Sequence, residues 1–121
     1  MRSHEESRIQ RNCVEWFFKQ YPDGLLFAIE NGGKRSKTEG AILKGMGIMP
    51  GVSDLCLAHK KTGKKFDDPD YGALYIEIKT PTGRQSKSQI AFEKNVLANG
   101  YDYKLCRSLD EFIKIVNEYL K

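Results

Sequence analysis

The chain has 121 residues, of which 40% are apolar and 30% charged, so we expect one globular domain over residues 1–121. No apolar run is long enough to span a bilayer, and the N-terminus lacks the apolar segment of a signal peptide, which predicts an intracellular protein without a membrane partner. Two histidines and three widely spaced cysteines in apolar context exclude a histidine-rich site, a zinc site and a disulfide framework, while the net charge of +4 permits an anionic partner.

The predicted elements follow the order α-β-α-β-β-α-β-α, without a repeat or a linker. Apolar residues at helical spacing predict a first helix over residues 3–20. This helix begins with a capping box, Ser3-x-x-Glu6. Glu6 is therefore either a helix cap or an acid at the edge of a site, and Glu5 is an equally exposed alternative.

The middle of the chain predicts three short strands, over residues 25–30, 52–58 and 73–80, with a helix at 36–46 after the first. The link between the second and third strands is short, which predicts antiparallel pairing. This link, Lys60–Tyr71, contains three aspartates and one glycine at turn positions but lacks the ligand spacing of a calcium loop, so we interpret it as a turn.

The last third of the chain predicts a helix over residues 86–98, a strand over 101–106 and a helix from 108 onwards. Ser86-x-x-Gln89 is another capping box. Gln89 is therefore a helix cap, a site residue or both.

Charged residues inside two of the predicted strands indicate a site. Side chains alternate across a strand, so Glu77 and Lys79 share one face and Ile76 and Ile78 share the other. Asp54 also lies within an apolar run, where a charge is costly unless it is paired or binds a metal. An ion pair on a half-exposed strand is the simpler interpretation of Glu77 and Lys79 alone. Two adjacent strands would bring all three residues together.

These residue types suit metal-assisted hydrolysis of phosphodiesters. Two carboxylates and a backbone carbonyl are hard oxygen ligands for Mg²⁺ or Mn²⁺, and a lysine can stabilise charge on the phosphate or orient the attacking water. Residues 34–65 contain eight basic and two acidic side chains, so the acids lie in a basic surround that suits nucleic acid. The same lysines would also suit a merely solvated surface.

The sequence resembles a stand-alone VRR-NUC domain of the PD-(D/E)xK nuclease superfamily over nearly its whole length. The order and spacing of the shared motifs are specific, although each motif alone is weak. The motifs are Glu6-x-x-x-Gln10, Asn31-Gly32-Gly33-Lys34-Arg35, Gly51-Val52-Ser53-Asp54-Leu55, Glu77-Ile78-Lys79-Thr80-Pro81, Gly83-Arg84-Gln85-Ser86-x-x-Gln89 and the stretch from Gly100-Tyr101 to Tyr119-Leu120. One departure is Ser53, where the family commonly has proline.

The resemblance implies an α/β fold with a restriction-endonuclease-like core, a small mixed β-sheet flanked by α-helices. It implies Asp54 and Glu77 as metal ligands, with the Ile78 carbonyl beside them, and Lys79 as the catalytic lysine. It also implies Glu6, on the first helix, as an additional acidic residue that acts in catalysis and could bind the metal. Gln89 matches the family's glutamine at the start of the helix after the core strands, and we expect it to be catalytic too. Stand-alone relatives occur in phages and bacteria, which places the protein in a bacterial or phage-infected cytoplasm.

The predicted function is a Mg²⁺- or Mn²⁺-dependent DNA endonuclease. Nothing in the chain resembles a base-reading helix, so we expect selectivity for DNA shape, and the resemblance to Holliday junction resolvases implies a homodimer on branched DNA. One alternative is a non-catalytic nucleic-acid-binding module on the same fold, and another is a protein–protein interaction domain. The expected phosphate contacts are Lys34, Arg35, Lys44, Arg84 and Lys87.

Overall fold

A computed structural model describes residues 3–30 and 37–121 of the chain. The elements occur in the predicted order. They are α1 (His4–Gln20), β1 (Leu26–Ala28), α2 (Lys37–Gly45), β2 (Leu55–Leu57), β3 (Leu74–Ile78), α3 (Lys87–Ala98), β4 (Asp102–Cys106) and α4 (Leu109–Leu120).

The four strands form one mixed sheet in the order β1-β2-β3-β4. β2 pairs antiparallel with β1 and with β3, which confirms the pairing predicted from the short link. β3 and β4 run parallel, with Ile78 opposite Cys106, because α3 carries the chain back along the sheet between them. The result is the predicted α/β architecture, a small mixed sheet flanked by helices.

The main core lies between one face of the sheet and the helices α1 and α4. Leu74, Ile76 and Ile78 of β3 are fully buried in it. The helices contribute Ile9, Cys13, Phe17, Phe112, Val116 and Tyr119. Since alternate residues of β3 enter this core, the intervening residues point to the opposite face of the sheet, where α3 lies.

The α3 face carries a smaller apolar cluster of Phe92, Val96 and Tyr103. Tyr75 and Val52 pack against it at its edges. Glu77, two residues beyond Tyr75 on β3, therefore lies on the α3 face, as the alternation predicted.

One predicted boundary is wrong in a way that matters for the site. Asp54 lies immediately before β2, which begins at Leu55, and not inside the strand. Its backbone carbonyl still accepts a hydrogen bond from Ile29 at 2.9 Å. Its side chain, however, bonds to the backbone of β3, so a carboxylate occupies the position where the β2–β3 ladder would continue.

Serine residues cap the N-termini of three of the helices. The Oγ atoms of Ser3, Ser86 and Ser108 each accept a hydrogen bond from the backbone N–H three residues later. Cys13, Cys56 and Cys106 are buried and free, as their apolar context predicted. Within residues 3–30 and 37–121, no helix has the length and apolarity needed to cross a membrane.

Candidate active site

The three residues singled out in the sequence lie together at one end of the sheet, with Asp54 just before β2, Glu77 in β3 and Lys79 just after β3. The exposed fractions of Asp54, Glu77 and Lys79 are 6%, 3% and 9%. Burial of charged groups is costly unless their neighbours compensate for the lost hydration. The contacts of these three residues therefore decide whether they form a structural ion pair or a site.

Asp54 joins the edge of β2 to the end of β3. Its Oδ2 accepts a hydrogen bond of 2.7 Å from the backbone N–H of Ile78. The contact places the Asp54 carboxylate beside the peptide unit that links Glu77 to Ile78. Ser53, at the position of the family's proline, is fully buried, and its hydroxyl donates to the Leu55 carbonyl at 3.2 Å.

Glu77 receives two polar contacts on one carboxylate oxygen. Its Oε2 lies 3.9 Å from Lys79 Nζ and accepts a hydrogen bond of 3.0 Å from Gln89 Nε2. The second oxygen, Oε1, is completely buried. The side chains of Glu77 and Lys79 are only 5% and 11% exposed, so water screens this pair weakly.

Gln89 caps α3 and contacts Glu77 at the same time. Its Oε1 accepts from the Ser86 backbone N–H at 2.8 Å, and its own backbone N–H donates to Ser86 Oγ at 3.2 Å, which completes the capping box. The other end of the same amide donates to Glu77. The first turn of α3 thereby orients the side chain that contacts the Glu77 carboxylate.

A second polar group, missed by sequence reasoning, adjoins this cluster on the α3 face. Gln85 Nε2 donates to Glu93 Oε1 at 2.9 Å and to the Tyr103 hydroxyl at 3.4 Å. Burial raises the pKa of Tyr103, the Gln85 contact opposes the change, and the charges of Glu77, Glu93 and Asp54 raise it further. Two signals were present in the sequence: Gln85 lies in a shared motif, and Glu93 follows Gln89 by one helical turn.

The turn after Lys79 is held by a residue that the sequence did not indicate. Arg107, which follows β4, donates from Nη1 to the carbonyls of Thr80 and Gly83 at 2.8 and 2.7 Å. The turn itself closes with a 3.1 Å hydrogen bond from Gly83 N–H to the Thr80 carbonyl. Arg107 therefore fixes the segment that connects Lys79 to α3 to the end of β4, the strand at the edge of the sheet.

The role of Glu6 stays a prediction. It lies in the first turn of α1 and is half-buried, and its backbone N–H donates to Ser3 Oγ at 3.0 Å. This hydrogen bond is the serine half of the predicted capping box.

The predicted phosphate contacts differ in where they lie. Arg84 and Lys87 are exposed and flank the start of α3, next to the Gln89 turn. Lys44 is exposed in the last turn of α2. Lys34 and Arg35 lie outside the described residues.

The ligand chemistry of the cluster fits a hard divalent cation. Asp54 and Glu77 supply carboxylate oxygens, which suit Mg²⁺ or Mn²⁺ and not a soft metal. In the described part of the chain, no three His, Cys, Asp or Glu side chains come together as a metal-binding group. A cation at this position would thus take its other ligands from a backbone carbonyl and water, as Mg²⁺ commonly does.

Comparison with known proteins identifies the family and confirms the fold. The family model for the VRR-NUC domain matches residues 4–110. A solved structure described as a VRR_NUC domain protein superimposes with a TM-score of 0.78 and 20% sequence identity, covering 99% of this chain and 91% of that one, and it confirms the fold. No curated protein matches the sequence. The chain belongs to the VRR-NUC domain family, a family of nuclease-type domains.

Proposed function

We propose that this protein is a Mg²⁺- or Mn²⁺-dependent DNA endonuclease that selects branched DNA and acts as a homodimer. Because the chain belongs to a family of nuclease-type domains, it is a nuclease-like domain, and such a domain binds nucleic acid. The observation that carries the finer proposal is the cluster of three buried residues, Asp54, Glu77 and Lys79, with the half-buried Gln89 at one end of the sheet. A protein that only binds DNA would gain nothing from carboxylates that repel phosphate.

Charge within the cluster supports a bound cation. Two carboxylates and one ammonium group give these four residues a formal charge of −1 in a region of low exposure. We propose that Asp54, Glu77 and the Ile78 carbonyl hold the metal. The Ile78 N–H faces Asp54, and the N–H and C=O of one strand residue point to the same side, which supports the carbonyl as a ligand. The metal would polarise the scissile phosphate and lower the pKa of a bound water.

Lys79 is proposed to stabilise the negative charge that develops on the phosphate or to orient the attacking water. Its ammonium group lies 3.9 Å from Glu77 Oε2, close enough to remain beside the metal ligands yet not in a short hydrogen bond. Gln89 holds Glu77 Oε2 in place through its 3.0 Å hydrogen bond. Fixed donors of this kind favour the transition state because they need no reorganisation during the reaction.

The cleavage test uses labelled four-way junction, flap and linear duplex DNA with Mg²⁺ or Mn²⁺. We expect wild type to cut a branched substrate, and Lys79→Met and Glu77→Gln to lose about 100-fold or more in kcat. The matched control is Lys104→Met, which removes an exposed lysine from β4. Binding of the junction without cutting under either metal would contradict the enzyme proposal and favour a non-catalytic nucleic-acid-binding module. Preferential cutting of linear duplex would contradict the choice of branched DNA.

Metal binding can be tested without DNA. A ligand that binds only the folded state stabilises it by about 2.7 kcal/mol at a concentration of 100 times its Kd. We therefore expect Mn²⁺ to raise the Tm of wild type, and to raise the Tm of Asp54→Asn by much less. Asp110→Asn, in the exposed first turn of α4, is the control because it removes a carboxylate far along the chain from the cluster. Equal Tm increases in all three proteins would contradict the ligand assignment.

The homodimer is proposed because two copies facing a symmetric junction match its geometry. Sedimentation equilibrium of the protein alone and with a four-way junction measures the assembly directly. We expect a species of twice the chain mass of 13.8 kDa. A monomer in both samples would remove this part of the proposal.

A further inference from the structure

Gly51 lies in direct contact with the start of α3. Its φ is +79°, in the left-handed region that favours glycine. A Cβ at this position would overlap the Ser88 carbonyl group and would lie 2.7 Å from the Gln89 backbone nitrogen, where Cβ contacts below 3.0 Å are essentially never found. The absence of a side chain is therefore what lets these two backbones touch.

The contact joins two parts of the candidate site. Gly51 precedes Asp54 by three residues, and Ser88 and Gln89 form the first turn of α3. From this turn the Gln89 side chain reaches Glu77. The loop that precedes Asp54 thus contacts the first turn of α3, which orients the side chain that binds Glu77.

We propose that Gly51 is a positioning residue, which sets the distance between the Asp54 loop and α3 and so keeps the Gln89 amide on the Glu77 carboxylate. This inference rests on the proposed function, since it concerns the same site. The positive φ favours glycine at residue 51 by itself, and the contact with α3 is a second, separate constraint. Gly47, in the same loop, has a φ of +97° but no atoms within 4 Å of a Cβ position.

A side chain at residue 51 would collide with the backbone of Ser88 and Gln89. The atoms in its way belong to the backbone of α3, which cannot rotate aside as a flexible side chain would. The loop or the first turn of the helix therefore has to move. The 3.0 Å hydrogen bond between Gln89 and Glu77 has little room for such a shift, because N–H···O hydrogen bonds in proteins usually have donor–acceptor distances of about 2.7–3.2 Å.

Gly51→Ala and Gly47→Ala form a matched pair. Both place alanine at a positive φ, but only the first meets the α3 backbone. On a cleaved substrate, we expect Gly51→Ala to lower kcat at least 10-fold with KM within about 3-fold, and Gly47→Ala to leave kcat within about 2-fold of wild type.

The second measurement needs no catalysis. In ¹⁵N-labelled protein, the side-chain amide signals of Gln89 report its hydrogen bond to Glu77. We expect Gly51→Ala to shift these signals toward their positions in Glu77→Ala, and Gly47→Ala to leave them unchanged. Unshifted Gln89 signals in folded Gly51→Ala, or equal shifts in both glycine variants, would overturn the inference. If wild type cuts no DNA, the proposed function fails, but these signals still decide the role of Gly51.

If Gly51→Ala does not fold at 10 °C, Val52→Ala replaces it as the test variant. Val52 is half-buried and packs against the apolar cluster beneath α3, so its truncation loosens the same loop without adding an atom. We expect a smaller shift of the Gln89 amide in the same direction. An unchanged Gln89 amide in folded Val52→Ala would overturn the inference.

Discussion

At the scale of single residues, Glu77 and Gln89 depend on each other. Glu77 is 3% exposed, so the hydrogen bond from Gln89 and the charge of Lys79 replace part of its lost hydration. Gln89 can do this only because its other end is fixed by Ser86. Sequence reasoning left open whether Gln89 was a cap or a site residue, and the geometry shows that one amide caps the helix and also contacts Glu77.

Gln89→Glu separates these two tasks. Glutamate at this capping-box position still accepts from the Ser86 backbone, but it places a second carboxylate where an amide donated to Glu77. We expect a loss of about 1–3 kcal/mol in the free energy of unfolding at pH 7, measured by urea denaturation, because a charged acceptor loses its donor. Asn95→Ala, on the exposed side of α3, is the control. A loss below about 0.5 kcal/mol would show that the Gln89–Glu77 contact contributes little.

At the scale of elements, the predictions succeeded where the signal was local. α3 begins one residue after the serine of a complete capping box, and β3 buries alternate residues as its pattern indicated. The prediction that placed Asp54 inside a strand was wrong because β2 is short and the Asp54 side chain replaces a ladder hydrogen bond. Arg107 also went unnoticed, since its contacts lie on a turn more than twenty residues earlier in the chain.

Arg107→Met tests how strongly β4 holds the turn after Lys79. The substitution keeps most of the aliphatic stem but removes hydrogen bonds from a charged donor to the carbonyls of Thr80 and Gly83. We expect the free energy of unfolding to fall by about 2 kcal/mol, with Arg107→Lys intermediate because lysine lacks the planar fork of donors. Urea denaturation measures the change, with Lys104→Met as control. Equal stability of Arg107→Met and wild type would contradict this role of the guanidinium.

At the scale of the whole molecule, the two faces of the sheet carry different kinds of residues. The face toward α1 and α4 carries the larger apolar core. The face toward α3 combines a small apolar cluster with the polar residues of the site. Tyr103 belongs to both groups, because it packs with Phe92 while its hydroxyl accepts a hydrogen bond from Gln85.

Stability should therefore fall in alkaline solution. Burial, followed by nearby carboxylates, raises the pKa of Tyr103 above its usual value of 10.0, so the folded state keeps a proton that the unfolded state releases. This contribution is complete below about pH 10 and is lost as pH rises toward the folded-state pKa, by at most about 1.4 kcal/mol per pH unit. We expect the free energy of unfolding of Tyr103→Phe, measured by urea denaturation, to decline less steeply than that of wild type between about pH 9.5 and 11. This range brackets the ordinary phenol pKa of about 10. Parallel declines in wild type and variant would contradict this assignment.

The sequence by itself determined the order of the elements, the opposite faces of Glu77 and Ile76, and the residue types of the site. These properties depend on side-chain alternation and on capping, which act over a few neighbouring residues. Only the tertiary structure decided that Asp54 bonds to Ile78, that Gln89 reaches Glu77 and that Gly51 touches α3. Such contacts depend on strand register and on where a helix packs, and a local pattern in the sequence does not encode either.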